Sequence, residues 1–286
     1  MYSLQEYNKH ETSFLSHIAE KWGFTERCKF IFEQRFLSGN DDLKTNELVE
    51  VLEKNLEEYN PDKKNINYND IFRDELKKIY RKLEEQGCNF HGQTHNKFPI
   101  AKDWLQKICW PKYQQDFLWH LMKNQGSLTD NMKLILVPPA KPASLDMWET
   151  EEPEHNYVTS VSLGSQIHFE INLDSPGHLL LLQKGTSGKF WCMCPSFLVA
   201  DTHLPAGKTI LPQEEKLKNE YLKISGKTGQ DEMLAVISPE LPNFNWLPKV
   251  KNGIPLEMKP NHFSELAAYL ETTKPTVFYM EYTITA

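Results

Sequence analysis

One stretch of the chain restricts the fold more than any other: residues 177–196, which read GHLLLLQKGTSGKFWCMCPS. Leu179 to Leu182 form an apolar run that can be buried on both faces of a sheet, and Gly185 to Gly188 form a turn that tolerates positive φ. Phe190 to Cys194 can return as the partner strand, and Pro195 ends it because proline has no N–H to donate. The stretch therefore predicts a β-hairpin.

Further short strands are predicted on both sides of this hairpin. Apolar and polar residues alternate in residues 166–172, which is typical of a strand with one face in the core. An amphipathic helix at 263–271, capped by Asn261, precedes a last long strand at 276–285. Turn residues separate other short strands, predicted at 158–163, 207–212, 221–225 and 232–240. This spacing favours an immunoglobulin-like antiparallel β-sandwich with a short helix before its last strand.

The N-terminal part has a different pattern, because its apolar residues recur every three and four positions as in amphipathic helices. Helices are predicted at 2–19, 26–37, 45–56, 67–86, 101–110 and 113–123. A polar loop with a short extended piece is predicted at 89–100. Two helices followed by a hairpin would give a winged-helix domain, and a compact helical adaptor bundle fits the same order. The pattern leaves both alternatives open.

The chain of 286 residues is long enough for two hydrophobic cores. We expect an α+β multidomain protein with a helical domain at 1–126, a proline-rich and then acidic linker at 127–156, and a β-sandwich at 157–286. Leu134 to Val137 are an alternative first strand of the β domain.

The C-terminal half also resembles a known family. The resemblance is carried, in order, by LGSQIHFEI from Leu163, SPGHLLLL from Ser175, the Gly185 to Gly188 turn, and then by Cys194-Pro-Ser, Leu204-Pro-Ala-Gly, Leu211-Pro, Gly226-Lys-Thr-Gly and Glu232-Met-Leu-Ala-Val-Ile. These elements resemble the bacterial family called domain of unknown function 4384. That family recurs at the C-terminus of caspase-like peptidases, kinases and other signalling or defence proteins, many of them cyanobacterial. The resemblance implies a role in signalling or defence and carries no catalytic residue.

The charge of the N-terminal part argues against a nucleic-acid-binding surface. Residues 1–126 hold 19 Lys and Arg against 20 Asp and Glu, whereas proteins that neutralise phosphates usually have a basic surplus. One helix carries a basic cluster interleaved with carboxylates, formed by Arg73, Lys77, Lys78, Arg81 and Lys82. Such interleaving is typical of a solvated helix face with local ion pairs.

Three aromatic residues are candidates for partner binding. Trp148 lies in the segment Asp146 to Glu154, which carries five carboxylates and no basic residue and is either a solvated linker or a docking strip for a basic partner. Phe244 and Trp246 lie in an aromatic-rich loop between Pro239 and Pro255, which becomes a binding surface if part of it is exposed.

Catalytic motifs are lacking. The sequence contains no nucleophile elbow, phosphate loop, HExxH or dinucleotide-binding glycine pattern. Cys88 with His91 or His95 would form a thiol and base pair, but a polar loop without an acidic orienter is the favoured interpretation. Three further side chains, Ser196, Asp201 and His203, are close in sequence, which does not imply the geometry of a triad.

Metal binding is also not favoured. Cys192 and Cys194 form a C-x-C pair on one strand, but apolar residues surround them and the C-x-x-C spacing of structural zinc sites is absent. We therefore predict no catalytic, cofactor-binding or metal-binding residues, and no cofactor.

The resulting expectation is a non-enzymatic adaptor or regulatory binding protein. Its helical domain would dock a protein partner, a peptidase, ATPase or kinase, and its β domain would recognise a ligand or protein. Two alternatives stay open: a winged-helix DNA-binding regulator with a β sensor domain, and a hydrolase that uses Cys88. Residues 1–20 do not resemble a signal peptide, and no membrane-spanning run is present, so we expect a cytoplasmic protein with five reduced thiols and no membrane partner.

Overall fold

The computed structural model of the protein describes residues 4–59, 67–137, 156–199, 201–213, 221–248 and 253–286. The chain divides into two compact units, Met1–Phe117 and Leu118–Ala286, here called the helical unit and the β unit. The α+β class predicted from the sequence is confirmed, since six helices precede a set of mainly antiparallel β-sheets. Within the described ranges, no helix is long and apolar enough to cross a membrane.

The first helices follow the predicted apolar periodicity. Their bounds are α1 (Leu4–Lys21), α2 (Glu26–Phe36), α3 (Thr45–Tyr59), α4 (Tyr68–Glu85), α5 (Lys97–Trp104) and α6 (Trp110–Gln125). The side chain of Asn67 caps α4 by accepting a hydrogen bond from the Asp70 N–H at 3.3 Å. Gly87, at φ +103°, follows the end of this helix in a conformation that favours glycine.

The segment 97–125 differs from the two short helices that the sequence predicts. α5 starts at Lys97 and passes through a π-helical stretch, Leu105–Cys109, directly into α6. Pro111 lies in the first turn of α6, where its missing N–H costs least. In a regular helix the ring of Pro111 would clash with the preceding turn. The π-helical stretch before Pro111 has a wider turn, which accommodates this ring. The chain therefore continues as a helix where the sequence indicates a break.

Aromatic side chains form the core of the helical unit. Phe14 packs edge-on against Trp110 at 4.9 Å and against Phe117 at 5.7 Å between ring centroids, and Tyr7 packs against Phe14 at 5.9 Å. All four rings are buried. Edge-to-face packing of this kind adds to the stabilisation that comes from burying apolar area.

The helical unit contains no strand in the ranges 4–59 and 67–117. The extended piece predicted at 89–100 is instead a turn followed by the first residues of α5, where Asn96 has a left-handed φ of 57°. A winged-helix domain requires a hairpin after its helices. The described part of this unit is therefore a helical bundle.

The β unit contains thirteen described strands in two sheets. They are β1 (Ser127–Leu128), β2 (Met132–Leu136), β3 (Tyr157–Val158), β4 (Ser160–Ser162), β5 (Gln166–Leu173), β6 (Gly177–Lys184), β7 (Phe190–Cys194), β8 (His203–Leu204), β9 (Gly207–Leu211), β10 (Leu222–Lys223), β11 (Gly229–Ser238), β12 (Leu256–Glu257) and β13 (Thr276–Thr285). The first sheet has the order β1-β13-β11-β6-β7-β12, with β4 on β13 and β8 on β6. The second has the order β10-β5-β2-β3, with β9 on β5. An immunoglobulin-like arrangement of these strands stays a prediction.

The hairpin that the sequence predicts joins β6 and β7. Gly188, at φ +76°, lies in its turn, and the Gly188 N–H donates to the Gly185 carbonyl at 2.8 Å. Gly177 is the first residue of β6. A Cβ at this position would lie only 2.8 Å from Ile237 Cγ2 of the neighbouring β11, so the close approach of the two strands favours glycine here. Side chains from both sheets, including Phe169 of β5 and Met233 of β11, share one buried core.

The β unit starts earlier in the chain than the predicted domain at 157–286. β1 and β2 lie in the segment assigned to a linker, and Leu134 of β2 pairs with Phe169 of β5. This strand corresponds to the alternative first strand noted above, and it forms because Met132 and Leu134 are buried in the shared core.

Two helical segments complete the β unit. The last turns of α6 contribute Trp119, whose Nε1 donates to Glu232 Oε2 at 2.6 Å. The final helix is α7 (Pro260–Thr273), which begins one residue before the predicted cap Asn261 because proline is favoured in the first helical turn.

Candidate functional site

A pocket of about 490 Å³ lies between the two sheets of the β unit and is called the inter-sheet pocket below. This volume lies within the range of about 300–1,000 Å³ that is usual for small-molecule sites. β5 forms one wall, and β6, β7, β11 and β13 form the other. The turn between β6 and β7 and residues 222–227 also line it. Its apolar lining includes Ile167, Phe169, Met193, Leu222, Ile224 and Ile284.

Asp231 places a buried carboxylate in the lining of this pocket. The residue is only 4% exposed, because the alternation of β11 puts its side chain on the same face as the core residues Met233 and Ala235. Its Oδ2 accepts hydrogen bonds from Gln183 Nε2 at 2.8 Å and from the Tyr282 hydroxyl at 2.9 Å. Its Oδ1 is buried and accepts no hydrogen bond from a described residue.

No lysine, arginine or histidine in the described part of the chain forms an ion pair with Asp231. Its two donors are neutral: burial and then the adjacent Asp231 carboxylate raise the pKa of Tyr282, so that its hydroxyl keeps its proton. Elsewhere in the β unit, the buried carboxylate of Glu170 lies 3.4 Å from Lys208 Nζ. A buried charge is costly unless it is paired. Asp231 therefore differs from Glu170, which has a cation next to it.

The helical unit has a second concave surface of about 890 Å³, here called the cationic groove. The cations that line it are Arg35 of α2, Arg73, Lys77 and Arg81 of α4, and Lys97 of α5. Among its described lining residues, Glu84 is the one carboxylate, and it pairs with Lys97 at 3.2 Å.

Most of the basic cluster on α4 is paired along the helix. Lys77 lies 2.9 Å from Asp74 and Lys78 lies 3.1 Å from Glu75, both at i,i+3 spacing. Arg73 pairs in the same way with Asp70. Arg81 forms no ion pair with a described residue, so its charge is available to the cationic groove.

The predicted partner-binding residues lie elsewhere. Phe244 and Trp246 stack on each other at 5.0 Å between centroids, and Trp246 stacks on His262 of α7 at 4.6 Å. The Trp246 Nε1 donates to Glu265 Oε2 at 3.1 Å. These contacts attach the loop to α7 and leave both aromatic residues half-buried. Trp148 lies outside the described residues.

The cysteine and histidine residues of the helical unit do not form a nucleophile and base pair. Cys88 is buried, and burial, followed by the nearby charge of Glu84, raises the pKa of its thiol to about 11. His91 and His95 are exposed, and neither imidazole forms a hydrogen bond with a described residue. A buried thiol with a raised pKa is a poor nucleophile at neutral pH.

The polar residues after β7 do not form a triad. The Ser196 hydroxyl donates to the Met193 carbonyl at 2.5 Å, and Asp201 Oδ1 accepts from the His203 backbone N–H at 3.0 Å. The His203 ring packs against His178 at 5.0 Å between centroids. The three side chains are thus engaged with other groups.

The two cysteines of β7 are core residues. Their thiols donate to backbone carbonyls, Cys192 to Cys194 at 3.2 Å and Cys194 to Leu179 at 3.1 Å. Burial raises the pKa of Cys192 to about 12. In the described ranges, no cluster of three or more His, Cys, Asp or Glu side chains is arranged to hold a metal ion.

Asp231 is the functional candidate that sequence reasoning missed. The signal was present in β11, because period-2 alternation places this aspartate in phase with the buried Met233 and Ala235. A carboxylate on the apolar face of a strand needs a partner, and the sequence does not supply one nearby.

Comparison with known proteins gives a family match for one segment of the β unit and no activity. Residues 160–240, from β4 to β11, match the model of the family described as Domain of unknown function (DUF4384), which confirms the resemblance for this segment. No family model matches the N-terminal half of the chain, and no curated protein matches the chain.

One solved structure to which the chain is similar is that of Pseudomonas fluorescens alkylpurine DNA glycosylase AlkC bound to DNA containing an abasic site analog. The sequence identity is 10%, and the similarity covers 99% of this chain and 67% of that one. The TM-score of 0.18 is too low to carry an argument about fold or function.

Proposed function

We propose that this protein is a non-catalytic recognition protein, in which the β unit binds a ligand in the inter-sheet pocket. The observation that carries the proposal is Asp231, a buried carboxylate with no cationic partner among the described residues, placed in the lining of a pocket of ligand size. Convergent polar groups in a mainly apolar pocket are typical of binding sites. The family match places most of the pocket in the segment of unknown function.

A non-catalytic role is supported by the state of the cysteines. The strongest catalytic alternative, a hydrolase based on Cys88, requires a thiolate, and burial opposes its formation. All five cysteines are buried free thiols, which agrees with a reducing compartment, so we place the protein in the cytoplasm.

The helical unit is proposed to dock a protein partner through the cationic groove. Of its five cations, Arg73, Lys77 and Lys97 pair with carboxylates, whereas Arg81 forms no ion pair with a described residue, so a partner with an acidic segment complements the remaining charge. The resemblance to proteins of bacterial signalling and defence suggests a peptidase, ATPase or kinase as that partner. Binding of duplex DNA in place of an acidic segment would instead favour the DNA-binding alternative.

The ligand role of the β unit is tested with the full chain immobilised and equilibrated with a low-molecular-weight extract of the native cells. Compounds released on denaturation are identified by mass and compared between the wild type and Asp231→Asn. The proposal expects at least one compound that the wild type retains and Asp231→Asn does not. Identical sets from both proteins would contradict it. Asp174→Asn, in an exposed loop, is the matched control.

A further inference from the structure

We infer that the ligand of the inter-sheet pocket is a primary amine carried on an apolar body, whose ammonium group donates to Asp231 Oδ1. This inference rests on the proposed recognition role of the β unit and adds the chemical class of the ligand. It follows from the charge of the carboxylate, from the one oxygen that is left unpartnered, and from the apolar lining.

No cation of a described residue neutralises Asp231. Gln183 and Tyr282 donate to Oδ2 but bring no positive charge. A carboxylate that is 96% buried retains a large desolvation cost unless a cation lies next to it. A bound cation therefore recovers more free energy at this position than a neutral ligand of the same shape.

The geometry favours an ammonium over a guanidinium. Both hydrogen bonds that Asp231 accepts from described residues go to Oδ2, so Oδ1 is the buried oxygen that accepts none. A guanidinium binds a carboxylate best through two parallel hydrogen bonds to both oxygens, whereas an ammonium is a compact charge that needs one. One available oxygen thus selects the ammonium group.

The rest of the pocket selects an apolar body. Phe169, Met193, Leu222 and Ile224 line it together with the Tyr282 ring. These side chains contact apolar groups well. The two other charged lining residues, Lys223 and Lys227, are exposed, so they can direct their ammonium groups to solvent. A phenylalkyl group is of suitable size for a volume of about 490 Å³.

Gly185 keeps space beside the unpartnered oxygen. A Cβ at this residue would lie 3.8 Å from Asp231 Oδ1, at ordinary contact distance, and its φ is not in the left-handed region. Alanine is therefore compatible with the fold at this position. Its methyl group would nevertheless occupy space beside Oδ1 that an approaching ammonium group needs.

The test is isothermal titration of the full chain with 2-phenylethylamine and with 2-phenylethanol, its uncharged analogue. We expect the amine to bind about 10-fold or more tightly than the alcohol, because only the amine carries a charge-assisted hydrogen bond to Oδ1. Asp231→Asn and Gly185→Ala should each weaken amine binding about 10-fold or more, and Asp174→Asn should leave it unchanged.

Two results would overturn the inference. The first is an amine affinity no greater than that of the alcohol at millimolar concentrations, and the second is unchanged amine affinity in both Asp231→Asn and Gly185→Ala. Either result, combined with retention of an extract compound that depends on Asp231, would reject the amine class and keep the recognition role. Without such retention the recognition role fails as well.

Discussion

Glu75 in the helical unit and Asp231 in the β unit are both buried carboxylates, but cations donate to Glu75 and neutral groups donate to Asp231. Glu75 is 2% exposed, and its Oε1 accepts from Arg27 at 2.7 Å and from Lys78 at 3.1 Å. Both cations reach it from exposed positions. Asp231 is 4% exposed and has two neutral donors.

Two features distinguish a structural carboxylate from a candidate binding group. Each residue leaves one oxygen without a hydrogen bond, so an unpartnered atom alone does not separate them. The first feature is a neighbouring cation, which Glu75 has and Asp231 lacks among the described residues. The second is the inter-sheet pocket, which Asp231 lines and Glu75 does not. Neighbouring cations thus neutralise Glu75, whereas no cation of a described residue pairs with Asp231.

The largest expected effect concerns thiol reactivity. A reactive thiol in the helical unit would favour a catalytic role for that unit over a recognition role for the β unit. The raised pKa of Cys88, about 11 against an ordinary 9.0, lowers its thiolate fraction at neutral pH roughly 100-fold. We expect iodoacetamide to label Cys88 in the native protein roughly 100-fold more slowly than in the unfolded protein, as measured by mass spectrometry.

Cys192 of the β unit is the internal control for this measurement, because it is also buried and its pKa is raised to about 12. Rapid and selective labelling of Cys88 in the native protein would reject the non-catalytic account and favour the hydrolase.

The next effect is a loss of stability in Glu75→Gln. Gln cannot carry the charge that attracts Arg27 and Lys78, and hydrogen bonds to charged groups contribute about 1.5–3 kcal/mol each. We expect α4 to lose about 2 kcal/mol of stability, read from hydrogen exchange of its amides. Glu85→Gln, on the exposed side of the same helix and paired with Lys82 at 3.5 Å, should change it by less than about 0.5 kcal/mol.

The contribution of Glu75 and its two cations to stability depends on pH. Burial alone would raise the pKa of Glu75, but hydrogen bonds from Arg27 and Lys78 outweigh burial and hold this pKa below its usual value. Its contribution is therefore complete above the unfolded pKa of about 4.3 and is lost as the pH falls through the folded pKa.

The wild type should accordingly lose more helical-unit stability between pH 6 and pH 3 than Glu75→Gln does, in an acid titration followed by hydrogen exchange. Parallel curves for the two proteins would show that the ion pair does not stabilise the folded state.

The smallest expected effect on stability is that of Arg81→Glu in the cationic groove. Arg81 is exposed and unpaired among the described residues, so the free energy of unfolding should change by less than about 0.5 kcal/mol. Binding of a fluorescent oligoglutamate peptide to the full chain should weaken several-fold, as measured by anisotropy. Lys112→Glu, an exposed charge outside the groove, is the control. Equal affinities for all three proteins would remove the docking role from the groove.

Local patterns predicted the elements that depend on neighbouring residues. The turn Gly185 to Gly188 between apolar runs predicted the β6–β7 hairpin. Asn67 or Asn69 was expected to start the fourth helix, and the structure has Asn67 as the cap of α4. The continuation of α5 into α6 was missed, because a π-helical stretch before Pro111 depends on how its residues are packed.

The candidate site was less accessible from the sequence. Alternation in β11 indicates that Asp231 faces the core, but its donors Gln183 and Tyr282 are 48 and 51 residues away in the chain. Only the folded arrangement of these residues shows that Oδ2 accepts two hydrogen bonds and Oδ1 accepts none. The absence of a cationic partner likewise depends on the tertiary fold.

Hydrogen exchange of the β11 and β13 amides in Asp231→Asn shows whether the charge of Asp231 is uncompensated in the free protein. Asparagine can still accept from Gln183 and Tyr282 while the buried charge is removed. We expect the β unit to become more stable by about 1 kcal/mol, with Asp174→Asn unchanged. A loss of stability of similar size would contradict the claim, because it would show that the charged carboxylate already stabilises the free fold as Glu75 does.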